Sequence, residues 1–343
     1  MRIPFVERGS SLWEPKVTFP RRVNATVFPV LITPEGEYLQ DTSCIIDALE
    51  KRFPERPALP ASPILQMAAY LFELWGDEFW LPLAMHTRWS HRDENVGLFI
   101  HDLGEALVPG FPGWLKNRIS LHFANLMNSY LPPLGINDRS RPLLDRFLAV
   151  QLDGLDAHFR CHHFLFGDRP SLADYGMIAP LYAHIGRDPW SKRELIEPRP
   201  HLKAWIERMF DAGSSAGGEF QSEDALPETL QPALRSIFDE LLPFIQGCAD
   251  AVRKTPVLPA DTRKAQRFFK ETVRIPFAGG IYERAALSYP VWMAQRVMDA
   301  LAAMSEPDRQ KVRAWLRQVG GEALLTLDLP RVVRVGLAAA RVA

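Results

Sequence analysis

Three cysteines in 343 residues are too few for a disulfide framework, and Cys44, Cys161 and Cys248 form no CxxC pair. A reducing, cytoplasmic setting is the expectation that follows. No apolar run reaches the ~18 residues that a membrane span needs, so no membrane partner is expected. The opening Met1-Arg2-Ile3-Pro4 passes straight into Phe5-Val6-Glu7 with no apolar stretch of the signal-peptide kind. An excess of one charge is missing too. Forty Lys and Arg stand against 41 Asp and Glu, a net charge of −1, which gives nucleic acid no general attraction. There is no GxSxG, P-loop, GxGxxG or HExxH, so the sequence signatures of the serine-elbow hydrolases, P-loop nucleotide binders, dinucleotide binders and zinc peptidases are lacking. What remains is ordinary globular material, 47% hydrophobic and 24% charged, long enough for two or three domains.

The most informative stretch runs from Phe164 to Tyr175. Ser171 and Asp174 have the spacing of a capping box, in which the hydroxyl accepts from the N–H of Asp174 and the carboxylate accepts from the N–H of Ser171. The following run, Tyr175 to Ile185, is mostly apolar, so the spacing predicts a helix buried nearly all round whose first N–H groups need partners. The surrounding letters, Leu165, Gly167, Pro170, Ser171, Ala173 and Asp174, resemble the helix start in the all-helical domain of cytosolic glutathione transferases. There the box is a folding element, not a catalytic one.

A second part of the resemblance lies upstream. Val27-Phe28-Pro29-Val30-Leu31-Ile32 is followed by Gly36, by Tyr38-Leu39-Gln40-Asp41-Thr42, and by Ile45-Ile46 and Leu49-Glu50. This is similar to the second half of the family's thioredoxin-like domain: a strand entering at an aliphatic residue and proline, a tight turn, a second strand, and an acid–hydroxyl pair opening a helix. The resemblance implies a cis Phe28–Pro29 turn whose backbone pairs with the cysteinyl part of glutathione. It also implies that Asp41 and Thr42 hold the γ-glutamyl end. A helix start there offers free N–H groups and a positive dipole end, which suits a carboxylate. The alternative is that Asp41 and Thr42 merely cap a helix from about Ser43 to Arg52.

The N-terminus departs from the family pattern. Ile3-Pro4-Phe5-Val6-Glu7 resembles the end of the family's first helix running into its second strand, and the first strand and helix have no counterpart. That portion carries the family's thiol-activating Tyr, Ser or Cys, so the catalytic residue is unknown. An unpaired Phe5-Val6 strand would leave backbone groups without partners, and residues 1–25 are expected to form no proper strand. A start codon assigned too late and a degenerate family member both remain open.

The expected fold is mostly α: an incomplete thioredoxin-like α/β domain at 1–57, an all-helical transferase-like bundle at 62–212, and a mostly helical extension at 215–343. Ser62 and Pro63 open a helix with Ile64, Ala68, Leu71, Trp75 and Phe79 on one stripe, and Pro82 should kink or stop it. A second long helix spans about Arg141 to Arg160, and Pro200 to Met209 closes the bundle. Asp211 to Asp224 reads as a loop. In the extension, Leu230 to Lys254 reads as a helix with a kink at Pro243, Tyr289 to Met304 as another, and Ser305 with Asp308 as a second capping box. Leu324 to Val342 can supply a short strand or helix. The extension reads either as packing material or as a lid or partner surface.

His86, Arg88 and Trp89, with His91 and Arg92 beside them, form either a possible substrate cleft or a solvated basic turn. Cys44 lies early in the Asp41 helix, where a thiol pKa can fall. His158, Cys161 and His162 share a helix face but show no further ligand or second shell, so no metal is expected. Two function classes stand: a glutathione transferase-like enzyme attacking a small electrophile or disulfide with the glutathione thiolate, and a non-catalytic binding or assembly protein on the same frame. A homodimer is what the resemblance implies.

Overall fold

Pro29 and Gly36 bracket the first ordered hairpin. In the computed structural model β1 (Val30–Ile32) pairs antiparallel with β2 (Tyr38–Gln40) in the register Val30 to Gln40 and Ile32 to Tyr38. Gly36 takes φ +82° in the turn, where a side chain would be strained. Asp41 then opens α1 (Thr42–Arg52), as expected. Residues 3–9, 13–25, 27–211, 217–222 and 224–343 are described. Met1 and Arg2 of the expected N-terminal segment, and residues 212–216 and 223 of the expected loop, lie outside them. Among the described residues no strand precedes Val30, and Phe5 and Val6 are 79% and 88% exposed.

The helical region is built around α2 (Pro63–Leu74). Ser62 caps it by accepting the Leu65 N–H at 3.1 Å, and Pro63 fits the first turn because its missing N–H would have been unbonded there anyway. Leu65, Leu71, Phe72 and Trp75 are fully buried, each contributing roughly 2 kcal/mol by removal from water. A π-helical turn, Trp75–Phe79, follows, and α3 (Leu81–Trp89) restarts the chain with Pro82 in its first turn. Pro82 therefore stops the helix. Next come α4 (Arg92–Leu107), α5 (Gly113–Asn128), α6 (Arg141–Phe159), α7 (Leu172–Pro180) and α8 (Pro200–Phe210). Helices α2 and α7 run backbone against backbone. A Cβ on Gly176 would lie 2.6 Å from the Glu73 Cα, and one on Gly76 2.6 Å from the Gly176 carbonyl oxygen.

The extension begins with α9 (Gln231–Ser236), a π-helical turn at Ile237–Leu241 and α10 (Leu242–Arg253), so the expected helix changes its winding just before Pro243. A hairpin that the sequence reading missed follows. Strand β3 (Phe268–Phe277) pairs with β4 (Gly280–Leu287) around Ala278 and Gly279, both at positive φ. Phe269, Val273, Ile275 and Phe277 face the core. Strand β4 feeds through Ser288 into α11 (Tyr289–Ala303), and α12 (Glu306–Gln318) starts at the expected Ser305 cap, whose hydroxyl accepts from the Asp308 N–H. A last hairpin, β5 (Val333–Val335) with β6 (Ala338–Ala340), closes the chain against α11. The fold is mostly α, with three two-stranded antiparallel sheets among the described residues. Buried apolar side chains from Ile64 to Ala339 form one continuous core, so the extension packs directly on the helical region.

Candidate functional site

The β1–β2 register ends with Val30 opposite Gln40, which brings Pro29 and Asp41 to adjoining strand ends. The Phe28–Pro29 peptide is cis. Phe28 is 54% exposed and meets Phe19 edge to face at 5.7 Å. Asp41 sits at φ 86°, ψ 132°, a conformation that costs an L-residue roughly 1–3 kcal/mol. Its Oδ1 accepts from the Ser43 N–H at 3.0 Å. Thr42 is exposed, and among the described residues the N–H groups of Thr42 and Cys44 have no acceptor. One short segment thus offers a carboxylate, a hydroxyl and two free N–H donors at the positive end of an 11-residue helix. That set complements a group carrying both an ammonium and a carboxylate.

The extension meets this segment. The Tyr289 phenol donates to Asp41 Oδ2. Arg334 donates to the Gln40 side chain at 2.7 Å and to its carbonyl at 3.2 Å. Arg296 reaches Asp47 of α1 at 2.9 Å and Glu73 of α2 at 2.6 Å, and Glu73 also accepts from the Ser43 hydroxyl at 2.7 Å. Burial pushes the Glu73 carboxyl up, with Arg296 opposing. Burial and then the Asp41 charge push the Tyr289 phenol up, so it stays a donor. Burial also pushes the Cys44 thiol up, outweighing any lowering by its place at the helix start.

Two carboxylates near Asp41 were not singled out from the sequence. Asp77 and Glu78 lie in the π-helical turn, each partly exposed and without a hydrogen-bonding partner among the described residues. Burial, then Glu73, Glu78 and Asp41, push Asp77 well up. Burial pushes Glu78 up to about 7 against the pull of Arg267 and Arg284. Arg284 is itself 1% exposed, lies 4.2 Å over the Phe244 ring, and has no hydrogen-bond acceptor for its guanidinium among the described residues. The only sequence signal was an acidic pair inside an apolar helix.

Glu78 has a consequence for stability. The folded chain keeps a proton that the unfolded chain gives up near the ordinary value of 4.5. Its contribution is fully present below that value and is lost as pH rises through about 7. Glu78→Gln should therefore match the parent near pH 4 and melt at a higher temperature at pH 8. Equal melting temperatures at pH 8 would remove the assignment.

His86, Arg88 and Trp89 are engaged inside the bundle instead of facing a groove. His86 is 1% exposed, with Nε2 on Asp145 at 2.8 Å and Nδ1 on Ser90 at 2.8 Å. Arg88 makes a two-pronged bond to Asp188 at 2.7 and 2.9 Å. Trp89 is 4% exposed and packs on Phe99. The His158 ring bonds Thr229 at 2.8 Å and the Phe164 carbonyl at 3.4 Å, and burial followed by His162 lowers it to about 4. Ser171 and Asp174 form the expected capping box at the start of α7. A surface hollow of about 490 Å³ on α5, lined by Leu115, Arg118, Ile119, His122 and Phe123 among others, shares no residue with the Asp41 segment.

Residues 151–208 match the family model of the glutathione S-transferase C-terminal domain. The matched segment runs from the second half of α6 through the capping box and α7 into α8. No curated protein matches the chain. Over those residues the chain is similar to the glutathione transferases.

Proposed function

We propose that this glutathione transferase-like chain binds glutathione at the start of α1. Asp41 receives the γ-glutamyl ammonium. The Thr42 hydroxyl and the free N–H groups of Thr42 and Cys44 receive its carboxylate. The backbone of Phe28, at the cis turn with Pro29, pairs with the cysteinyl unit. The observation that carries this reading is the cis Phe28–Pro29 turn set beside a helix start with unpaired donors, in a chain whose residues 151–208 match the transferase C-terminal domain.

The chemistry this supports is attack of the glutathione thiolate on a small electrophile. At carbon it forms a thioether and expels the leaving group; at a disulfide it forms a mixed disulfide and releases a thiol. The described residues supply binding and orientation. The Tyr289 phenol is committed to Asp41 Oδ2, and burial holds the Cys44 thiol up, so neither is assigned as the thiol-activating group. That observation also favours a second reading, a non-catalytic binding or assembly protein. Turnover of a chlorodinitrobenzene with glutathione separates the two. The proposal extends to a cytoplasmic homodimer, in line with three free cysteines and the family resemblance.

Asp41→Ala removes a charged hydrogen-bonding partner of the ligand and is expected to weaken retention on immobilised glutathione by about tenfold or more. Circular dichroism checks that α1 survives loss of its cap. Unchanged retention, or none by the parent chain, removes the γ-glutamyl assignment.

A further inference from the structure

The Asp41 carboxylate is held from both sides. Oδ1 is tied to its own helix through the Ser43 N–H. Oδ2 accepts from a phenol 248 residues away in sequence. A carboxylate offers about four lone-pair sites, so two remain for a ligand. The phenol is itself fixed. Tyr289 is 9% exposed, its ring lies 5.2 Å from Trp292, and Pro290 sets the first turn of α11. One turn further on, Met293 Sδ lies 3.7 Å from the Ser43 hydroxyl, and Arg296 ties α11 to Asp47 and Glu73. The Tyr289 oxygen therefore reaches Asp41 from a helix docked rigidly against both α1 and α2.

The geometry points to Tyr289 of the C-terminal extension as a positioning residue of the tripeptide site, holding the Asp41 carboxylate in the orientation that receives the γ-glutamyl ammonium. This rests on the glutathione reading above and extends it to a residue outside the segments that carry the family resemblance. The gain is pre-organisation. A carboxylate on an open helix start samples several rotamers, and one clamped between Ser43 and Tyr289 has lost that freedom before the ligand arrives. The extension is then neither a plug nor passive cover. It contributes one wall of the site.

The test uses the full chain and titration calorimetry with two probes: glutathione, and the analogue in which the α-amino group is replaced by hydrogen. Tyr289→Phe keeps the ring packing and removes only the donor. It should weaken glutathione by about fivefold to tenfold, change the des-amino analogue by less than about twofold, and add nothing on top of Asp41→Asn. A purely structural role would lower both probes alike. Thr42→Ala serves as the control for the site itself, because its hydroxyl is independent of the extension. If Thr42→Ala weakens glutathione and Tyr289→Phe leaves it unchanged, tightens it, or weakens both probes equally, the Tyr289 inference falls and the site stands. If the parent does not bind, or Thr42→Ala has no effect, the glutathione reading falls and this inference with it.

Discussion

Asp174→Ala is expected to cost about 4 kcal/mol, a large share of the roughly 5–15 kcal/mol that keeps a typical domain folded. The carboxylate is wholly buried and both oxygens are doubly occupied. Oδ2 accepts from the Ser171 N–H at 2.9 Å and from its hydroxyl at 2.8 Å. Oδ1 accepts from the Leu165 N–H and the Trp205 Nε1–H, each at 3.0 Å. One side chain thus closes the start of α7, the preceding loop and an indole of α8. Alanine leaves those donors in the interior with no acceptor, and each orphan costs about 1–3 kcal/mol. Because the Trp205 ring stacks on Phe159 at 4.7 Å, it cannot turn to water without giving up packing. The urea midpoint measures the effect, provided the slope stays constant. A loss below about 1 kcal/mol would show that water replaces the carboxylate.

Arg296→Ala should be nearly as damaging, at about 3–5 kcal/mol, and for a different reason. Its bond to Asp47 is partly exposed and contributes little. Its bond to Glu73 is not exposed: the Glu73 side chain is 2% accessible, and without the guanidinium it keeps, among the described residues, only the Ser43 hydroxyl. The loss therefore comes from stranding a buried carboxylate. It follows that Glu73→Gln combined with Arg296→Met should recover most of it, because the stranded charge is gone and the thioether stem refills the space. A double-mutant cycle on unfolding free energy reads this coupling directly. Additive losses in the double variant would rule out the stranded charge as the cause.

The elements carried by local chemistry were legible in the sequence. Ser62-Pro63, Ser171 with Asp174, and Ser305 with Asp308 each announced a helix start through short-range donors and acceptors, and each helix is there. The Pro29 strand, the Gly36 turn and the Asp41 helix were readable through the family resemblance. The β3–β4 hairpin was missed although Phe269, Val273, Ile275 and Phe277 carry part of a period-two pattern. Pro276 is an exposed strand position, Ala278 and Gly279 make the turn, and Gly280 opens β4. His86 and Arg88 read as an open basic cluster because their partners, Asp145 and Asp188, lie 59 and 100 residues further along the chain. The Tyr289, Arg296 and Arg334 contacts with the Asp41 segment were invisible for that reason too. Periodicity reports which face of an element is apolar. It does not report which distant charge will come to rest on it.

Distance along the chain also sets an order in time. Asp41 leaves the ribosome 248 residues before the tyrosine that clamps it. At about 5–20 residues per second that interval is on the order of ten seconds or more. Throughout it the β1–β2 segment and α1 are without α11, with Glu73 lacking its guanidinium and Gln40 lacking Arg334. The first-made part of the molecule therefore matures last.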